Sequence, residues 1–152
     1  MIMINPKKIQ PPQVMLFLYV VATILHGVFK PSRMVPTAFV PLGLLIFAAG
    51  LSFMLWSRQQ FIKQSTPVRH SEQPTTLVRQ GPFKWSRNPM YIGGLVMFTG
   101  IGIMAGTWPF LAVPVVMFFI LERIFIPWEE RYMTGLFKNL YEDYLRKTRR
   151  WF

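Results

Sequence analysis

The chain has no cysteine and only six acidic residues among its 152 residues. The absence of cysteine excludes a fold held together by disulfide bonds, but it does not identify a redox compartment. Charged residues make up 15% of the chain, whereas a soluble domain normally carries roughly 25%. Hydrophobic residues make up 52%, and they are clumped into runs instead of being spread at helical or strand spacing. These proportions favour a membrane protein over a soluble one.

Four apolar runs predict four transmembrane helices. They cover residues 14–28, 35–56, 91–105 and 108–126. A helix needs roughly 17–25 mainly apolar residues to cross the hydrocarbon core, so the second and fourth runs are long enough and the other two are marginal. Only helices satisfy their backbone hydrogen bonds within one segment in lipid. We therefore predict an all-α integral membrane fold that forms a single domain over residues 1–152.

The basic residues are concentrated on one side of the predicted membrane. With four spans, the amino terminus, the loop over residues 58–89 and the carboxyl tail share one side, and all 17 lysines and arginines except Lys30 and Arg33 fall there. This bias predicts that both termini are cytoplasmic, in the inner (cytoplasmic) membrane of the cell. Basic residues beside spans also attract the headgroups of membrane lipids. Nucleic acid explains the net charge of +11 less well, because no recognisable binding motif accompanies it.

The segment after Pro127 has a different pattern from the four runs. Aromatic and aliphatic side chains recur there at i, i+4 spacing from Trp128 to Tyr144. This spacing predicts a cytoplasmic amphipathic helix over residues 128–148 that lies on or near the membrane interface. The cytoplasmic loop over residues 58–89 contains several prolines, which argue against one continuous helix. A loop of that length tends to be functional or disordered.

Two polar clusters beside the apolar runs are not explained by membrane insertion alone. They are Arg87-Asn88-Pro89-Met90-Tyr91-Ile92-Gly93-Gly94, at the start of the third run, and Glu122-Arg123 with Glu129-Glu130-Arg131, at the end of the fourth. The glycines also fit close packing between helices. Acidic residues at a membrane boundary need a cation, water or ligand to offset their desolvation. A structural salt-bridge network and a binding site therefore remain alternatives at this point.

The order of several short motifs resembles one superfamily of membrane enzymes. The motifs are Gly81-Pro82-Phe83, Arg87-Asn88-Pro89-Met90-Tyr91-Ile92-Gly93, Glu129-Glu130, Phe137, Tyr141-Glu142-Asp143-Tyr144 and Arg149-Arg150-Trp151. In this order the chain is similar to the isoprenylcysteine carboxyl methyltransferase and phospholipid methyltransferase superfamily. The resemblance covers residues 77–152, and the first two runs share only their hydrophobicity with it.

The resemblance implies methyl transfer from S-adenosylmethionine, which leaves S-adenosylhomocysteine as the product. It implies a cofactor site formed by Arg87, Asn88, Tyr91, Gly93, Glu129 and Glu130, among which Arg87, Asn88 and Glu130 would be catalytic. The chain has no glycine-rich fingerprint of a Rossmann domain, in agreement with a membrane enzyme. Asn88 stands where the isoprenylcysteine enzymes have histidine, and asparagine cannot take up a proton. We predict no metal site.

The methyl acceptor implied by the resemblance is a lipophilic small molecule that enters from the bilayer. It is either a carboxylate like that of prenylcysteine or the amine of a phospholipid or other small lipid. A carboxylate is already ionised near neutral pH, whereas an amine must first lose a proton. The alternative from another functional class is a small four-helix transporter or scaffold subunit without catalytic activity. The first three runs contain no acidic residue that proton-coupled transport would use. The sequence does not indicate an oligomeric state.

Overall fold

The computed structural model describes residues 9–67 and 73–152. Within that part the chain forms six α-helices: α1 Pro11–Phe29, α2 Val40–Lys63, α3 Pro89–Ala105, α4 Trp108–Ile120, α5 Ile126–Phe137 and α6 Asn139–Lys147. The described residues form no β-strand, and the parallel pairing of Ser86 with Arg149 is an isolated bridge. The predicted all-α class is therefore confirmed. Residues 1–8 of the predicted domain and residues 68–72 of the predicted loop lie outside the described residues.

Three helices are long and apolar enough to cross a membrane: Pro11–Phe29, Thr37–Lys63 and Trp108–Phe137. The chain is accordingly an integral membrane protein. The fourth candidate, α3, is apolar but has 17 residues, which at 1.5 Å per residue gives a length of about 25 Å against a hydrocarbon core of roughly 30 Å. A count of four full spans thus stays a prediction.

The fourth span continues beyond its predicted end at residue 126. A π-helical turn, Leu121–Phe125, joins α4 to α5, so that one helical rod runs from Trp108 to Phe137. Pro127 lies two residues after this turn and has no N–H group to donate to the carbonyl of Arg123. A widened turn is one of the usual ways in which a helix accommodates such a lost hydrogen bond. Hydropathy falls near Pro127, but the helix does not end there.

Helices α2 and α3 pack in close contact because glycines face glycines. A Cβ atom added to Gly93 would lie 2.7 Å from the backbone nitrogen of Met54, and one added to Gly100 would lie 2.5 Å from that of Phe47. Gly43 and Gly50 face the same contact from α2. Small residues let two backbones approach in this way within a membrane. The packing interpretation of these glycines is therefore confirmed for Gly93 and Gly100.

Helix α1 packs against α4 and completes the apolar core. The buried residues of this core are Met15, Ala22, Val113, Met117, Leu121, Phe125 and Ile126. Phe125 and Ile126 have no exposed surface, so the helical rod is fixed at its π-helical turn. Since α1 lies on α4 and α2 lies on α3, the two amino-terminal helices approach the bundle from different sides.

The predicted amphipathic helix over residues 128–148 is two helices in the structure. Residues Ile126–Phe137 belong to the long rod, and Asn139–Lys147 form the separate helix α6. The chain breaks at Lys138, whose φ of 48° ends α5. The aromatic side of α6 packs on Leu77 of the preceding loop, where Tyr141 and Tyr144 are buried. This packing gives the aromatic residues a contact within the protein.

Candidate functional site

A cavity of about 180 Å³ lies at the end of the bundle where α3 begins, between the last part of the rod, which is α5, and helix α6. Its wall is built from distant parts of the chain: the end of α2, the loop after residue 73, the start of α3, and helices α5 and α6. The residues of interest that line it are Arg87, Asn88, Tyr91, Trp128, Glu129, Glu130, Tyr141 and Tyr144. Five of the six predicted site residues therefore lie at one cavity.

Arg87 is held in place by three contacts, and its side chain is largely buried. Its backbone N–H donates to the carbonyl of Arg149, and its Nη1 donates to the carbonyl of Leu145. Its Nη2 lies 2.9 Å from Oε1 of Glu130 in an ion pair whose side chains are only 12% and 16% exposed. Within residues 9–67 and 73–152, the buried Nε of Arg87 has no hydrogen-bond partner. A buried donor of this kind costs roughly 1–3 kcal/mol unless an acceptor reaches it.

Tyr91 and Glu129 meet at the cavity although they are far apart in the sequence. The phenol of Tyr91, in the first turn of α3, donates a hydrogen bond to Oε1 of Glu129, in the first turn of α5. This contact joins the two clusters that the sequence analysis identified separately.

Glu130 belongs to an ion-pair network that the carboxyl tail completes. Arg150 Nη2 lies 2.6 Å from Oε2 of Glu130, and its Nη1 lies 2.6 Å from Oε1 of Glu122. The indole N–H of Trp151 donates to the other oxygen of Glu122 at 2.8 Å. Hydrogen bonding to Glu130 is the main reason why the pKa of Arg150 is raised. The salt-bridge interpretation of the acidic cluster is confirmed for Glu122 and Glu130, while Glu129 faces Tyr91.

Asn88 also holds the tail in place. Its buried side chain donates from Nδ2 to the carbonyl of Arg150 at 3.0 Å, and its backbone N–H donates to Oγ of Ser86. The same hydroxyl group donates to the Arg150 carbonyl. An amide donor is well suited to this neutral contact, since it cannot lose its proton. Whether Asn88 also contacts a ligand stays a prediction.

Gly93 is the one predicted site residue that does not line the cavity. It faces α2, where its missing side chain allows the backbone of Met54 to approach. Gly93 follows Tyr91 by two positions in α3, so the two residues point about 200° apart around the helix. The geometry gives Gly93 a packing role.

Three residues at or beside this site were not predicted as site residues from the sequence: Tyr141, Tyr144 and Arg150. Tyr144 donates from its hydroxyl group to the carbonyl of Phe83 at 2.7 Å, which ties α6 to the turn before α3. Burial raises the pKa of both tyrosines, so each phenol stays protonated near neutral pH. All three residues lie in the motifs Tyr141-Glu142-Asp143-Tyr144 and Arg149-Arg150-Trp151, which carried part of the family resemblance. Those motifs were the signal that could have identified them.

Apolar helices that can span a membrane, with a charged and aromatic cavity at one end, define an integral membrane protein with a candidate enzyme site. The chain belongs to the phospholipid methyltransferase family, whose family model matches residues 38–140. The match includes Arg87, Tyr91, Glu129 and Glu130 and ends before Arg150. Family membership makes this chain a membrane methyltransferase and does not favour the transporter or scaffold alternative. The searches of curated proteins and of solved structures each found no match.

Proposed function

We propose that the chain transfers the methyl group of S-adenosylmethionine to the amine of a phospholipid at the cytoplasmic face of the membrane. The observation that carries the proposal is the meeting of Arg87, Tyr91 and Glu129 at one cavity. The family description supports a phospholipid as acceptor. A carboxylate acceptor like that of prenylcysteine is less favoured, because the matching family is that of the phospholipid methyltransferases.

The charges of the cavity fit S-adenosylmethionine. The cofactor carries an ammonium group, a carboxylate and a sulfonium cation besides its adenine. The buried Nε of Arg87 would gain an acceptor from the cofactor carboxylate, which removes the cost of leaving that donor without a partner in the described part of the chain. The cavity, at about 180 Å³, is smaller than the roughly 300–1,000 Å³ of typical small-molecule sites. Binding of the whole cofactor therefore requires the cavity to widen.

Each residue of the cavity has a distinct role in this proposal. Glu129, oriented by the hydroxyl group of Tyr91, holds the ammonium group of the cofactor. Arg87 holds its carboxylate, and the ion pair with Glu130 fixes the guanidinium group in that position. The faces of Trp128 and Tyr141 at the cavity wall favour a nearby cation. When bound, the cofactor supplies an electrophilic methyl group on sulfur.

Methyl transfer requires the acceptor amine, after it has lost its proton to solvent, to lie in line with the methyl group and the sulfur atom, so alignment supplies much of the catalysis. The chain contributes to alignment through the rigid contact of α2 with α3, which fixes Tyr91 and the start of α3. The acceptor enters from the bilayer, and the cofactor enters from the cytosol. This assignment of sides depends on the charge bias of the loops, which puts the cavity in the cytoplasm.

The proposed cofactor site is tested by calorimetry with purified protein in detergent. Titration with S-adenosylhomocysteine should give binding to the unaltered chain. Glu129→Gln and Tyr91→Ala should each weaken it about tenfold or more, since a hydrogen bond to a charged group contributes roughly 1.5–3 kcal/mol. Glu142→Gln is the matched control, because Glu142 is exposed on α6 and does not line the cavity.

Transfer of labelled methyl into phosphatidylethanolamine vesicles then tests the reaction. We expect the unaltered chain and Glu142→Gln to produce labelled lipid. In Glu129→Gln and Tyr91→Ala the rate of methyl transfer should fall by at least as large a factor as the binding affinity. Unchanged affinity in both cavity variants would show that Glu129 and Tyr91 do not hold the cofactor. Binding without transfer to any phospholipid would instead refute the proposed acceptor.

A further inference from the structure

A second cavity, an apolar groove of about 640 Å³, lies beside the candidate site and is bordered by α1, α2, α3 and the rod that contains α4. The groove is lined mainly by apolar side chains, among them Met15, Leu95 and Phe98, and its polar residues include Arg58 and Tyr91. It forms because α1 packs on α4 while α2 packs on α3. Met90 and Tyr91 line both this groove and the polar cavity. A molecule in the groove therefore lies directly beside the candidate methyl-transfer site.

Gly94 lines the groove and has no packing reason to be glycine. A Cβ atom added at Gly94 would meet only the ring of Phe98, at 4.0 Å, which is an ordinary van der Waals contact. A Cβ atom added to its neighbour Gly93 would instead come within 2.7 Å of the backbone of α2. Helix packing thus explains Gly93 but leaves Gly94 unexplained. The missing side chain at Gly94 instead enlarges the groove.

The charge at the groove fits an amphiphilic molecule with an anionic group. Among the described residues that line the groove, Arg58 is the one with a formal charge. It lies near the end of α2 that leads into the loop before the candidate site. No carboxylate in residues 9–67 or 73–152 forms a salt bridge with it. A guanidinium group beside apolar surface at a membrane boundary favours a phosphate.

We propose that this groove holds an acyl chain of the phospholipid acceptor, with the chain over Gly94 and the lipid phosphate at Arg58. The proposal rests on the proposed function, and it names the residues that select the acceptor. A chain that moves from the bilayer into the groove gains little hydrophobic free energy, since lipid tails are as apolar as the groove. The groove therefore acts by positioning: it holds the lipid so that its headgroup amine reaches past Tyr91 into the polar cavity.

The direct test uses the full-length protein in nanodiscs and a phosphatidylethanolamine that carries a photoreactive diazirine in one acyl chain. Illumination should attach the lipid to groove residues such as Met15, Leu95 and Phe98, and excess unlabelled phosphatidylethanolamine should compete. Gly94→Leu fills the groove and should reduce this labelling about tenfold. Gly27→Leu is the matched control, because Gly27 is also a helical glycine with open space around it and lies outside the groove. It should leave labelling unchanged.

The headgroup contact has a separate test. Arg58→Gln should reduce labelling by the phospholipid probe at least about threefold relative to a diacylglycerol probe with the same diazirine chain. Methyl transfer gives the functional readout: Gly94→Leu should lower the ratio of kcat/KM for long-chain over short-chain phosphatidylethanolamine about tenfold, equivalent to about 1.4 kcal/mol.

The outcomes separate the two proposals. Labelling of the groove in a protein that transfers no methyl group to phospholipids would refute the proposed function and leave the groove as a lipid site. Methyl transfer to long-chain phospholipid without labelling of groove residues would overturn the groove proposal. Equal loss of long-chain and short-chain activity in Gly94→Leu would overturn it as well, because the groove would then not recognise the chain.

Discussion

Replacement of Arg150 by alanine should destabilise the protein more than any neighbouring change in the tail. Arg150 pairs with Glu122 and Glu130, both at 2.6 Å, and the three side chains are between 16% and 32% exposed. Loss of one partner from a fully buried pair costs roughly 3–5 kcal/mol, whereas an exposed pair contributes about 0–1 kcal/mol. Glu130 keeps its ion pair with Arg87. The partial exposure and the remaining pair reduce the expected loss to about 1–3 kcal/mol.

Thermal unfolding of the purified protein in detergent measures this loss. For a chain of this size a change of 1 kcal/mol shifts Tm by roughly 2–4 °C, so we expect a decrease of roughly 2–12 °C. Arg149→Ala is the matched control, since Arg149 is exposed and its side chain makes one long hydrogen bond to the carbonyl of Phe152. Arg150→Lys should recover only part of the loss, because an ammonium group cannot reproduce the bidentate contact with Glu130.

Equal Tm values for Arg150→Ala and Arg149→Ala, within about 1 °C, would refute the reasoning, because 1 kcal/mol is expected to shift Tm by at least about 2 °C. The network would then have no measurable effect on stability. A double-mutant cycle with Glu130→Gln sharpens the result, since a real contact gives a coupling energy of roughly 0.5–3 kcal/mol. Additive losses in that cycle would place the effect of Arg150 elsewhere, at Glu122 or in the fold of the tail.

Two further predictions concern Tyr144 of α6 and the orientation of the chain in the membrane. Tyr144→Phe should cost about 1 kcal/mol, because it removes the hydrogen bond to the Phe83 carbonyl. Burial raises the pKa of Tyr144, so its protonated phenol stabilises the folded state fully below the ordinary tyrosine pKa, and this stabilisation is lost as the pH rises above about 10. Unfolding curves should therefore show a smaller alkaline loss of stability for the phenylalanine variant than for the unaltered chain; identical slopes would contradict this. Because the chain has no cysteine, single cysteines test its orientation. In sealed cells an impermeant thiol reagent should label Lys30→Cys but not Arg79→Cys, and the reverse pattern would invert the proposed topology.

Hydropathy predicted the three long apolar helices but not where they end. The second run was predicted to end at residue 56, whereas α2 continues to Lys63. Polar residues such as Arg58 are compatible with a helix, and hydropathy reports the lipid boundary instead of the end of hydrogen bonding. In the same way the rod passes through Pro127, because the π-helical turn before it accommodates the missing N–H. The break between α5 and α6 could not be predicted, because no proline or glycine lies next to Lys138.

The sequence predicted those site residues that lie in short motifs, but not the contacts between residues that are far apart in the chain. The resemblance named Tyr91 and Glu129, and the structure brings them together. It did not indicate that Arg150 would pair with Glu122, since a contact across 28 residues depends on how the rod and the tail pack. Gly93 and Gly94 are adjacent in the sequence, yet one faces α2 and the other faces the groove. Two adjacent glycines in a sequence do not indicate which one packs against a helix and which one borders a groove.

The attachment of the tail also sets an order in which the protein is assembled. Residues Glu122 and Glu130 leave the ribosome before Arg150, and Ser86 and Asn88 leave it more than sixty residues earlier. During synthesis the membrane helices can insert and α2 can pack on α3 while the two carboxylates still lack this counter-charge. Docking of the tail brings Arg150 to both Glu122 and Glu130, and the same contact fixes Glu130 beside the cavity. The ion-pair network of this protein therefore closes only after Arg150 has been synthesised.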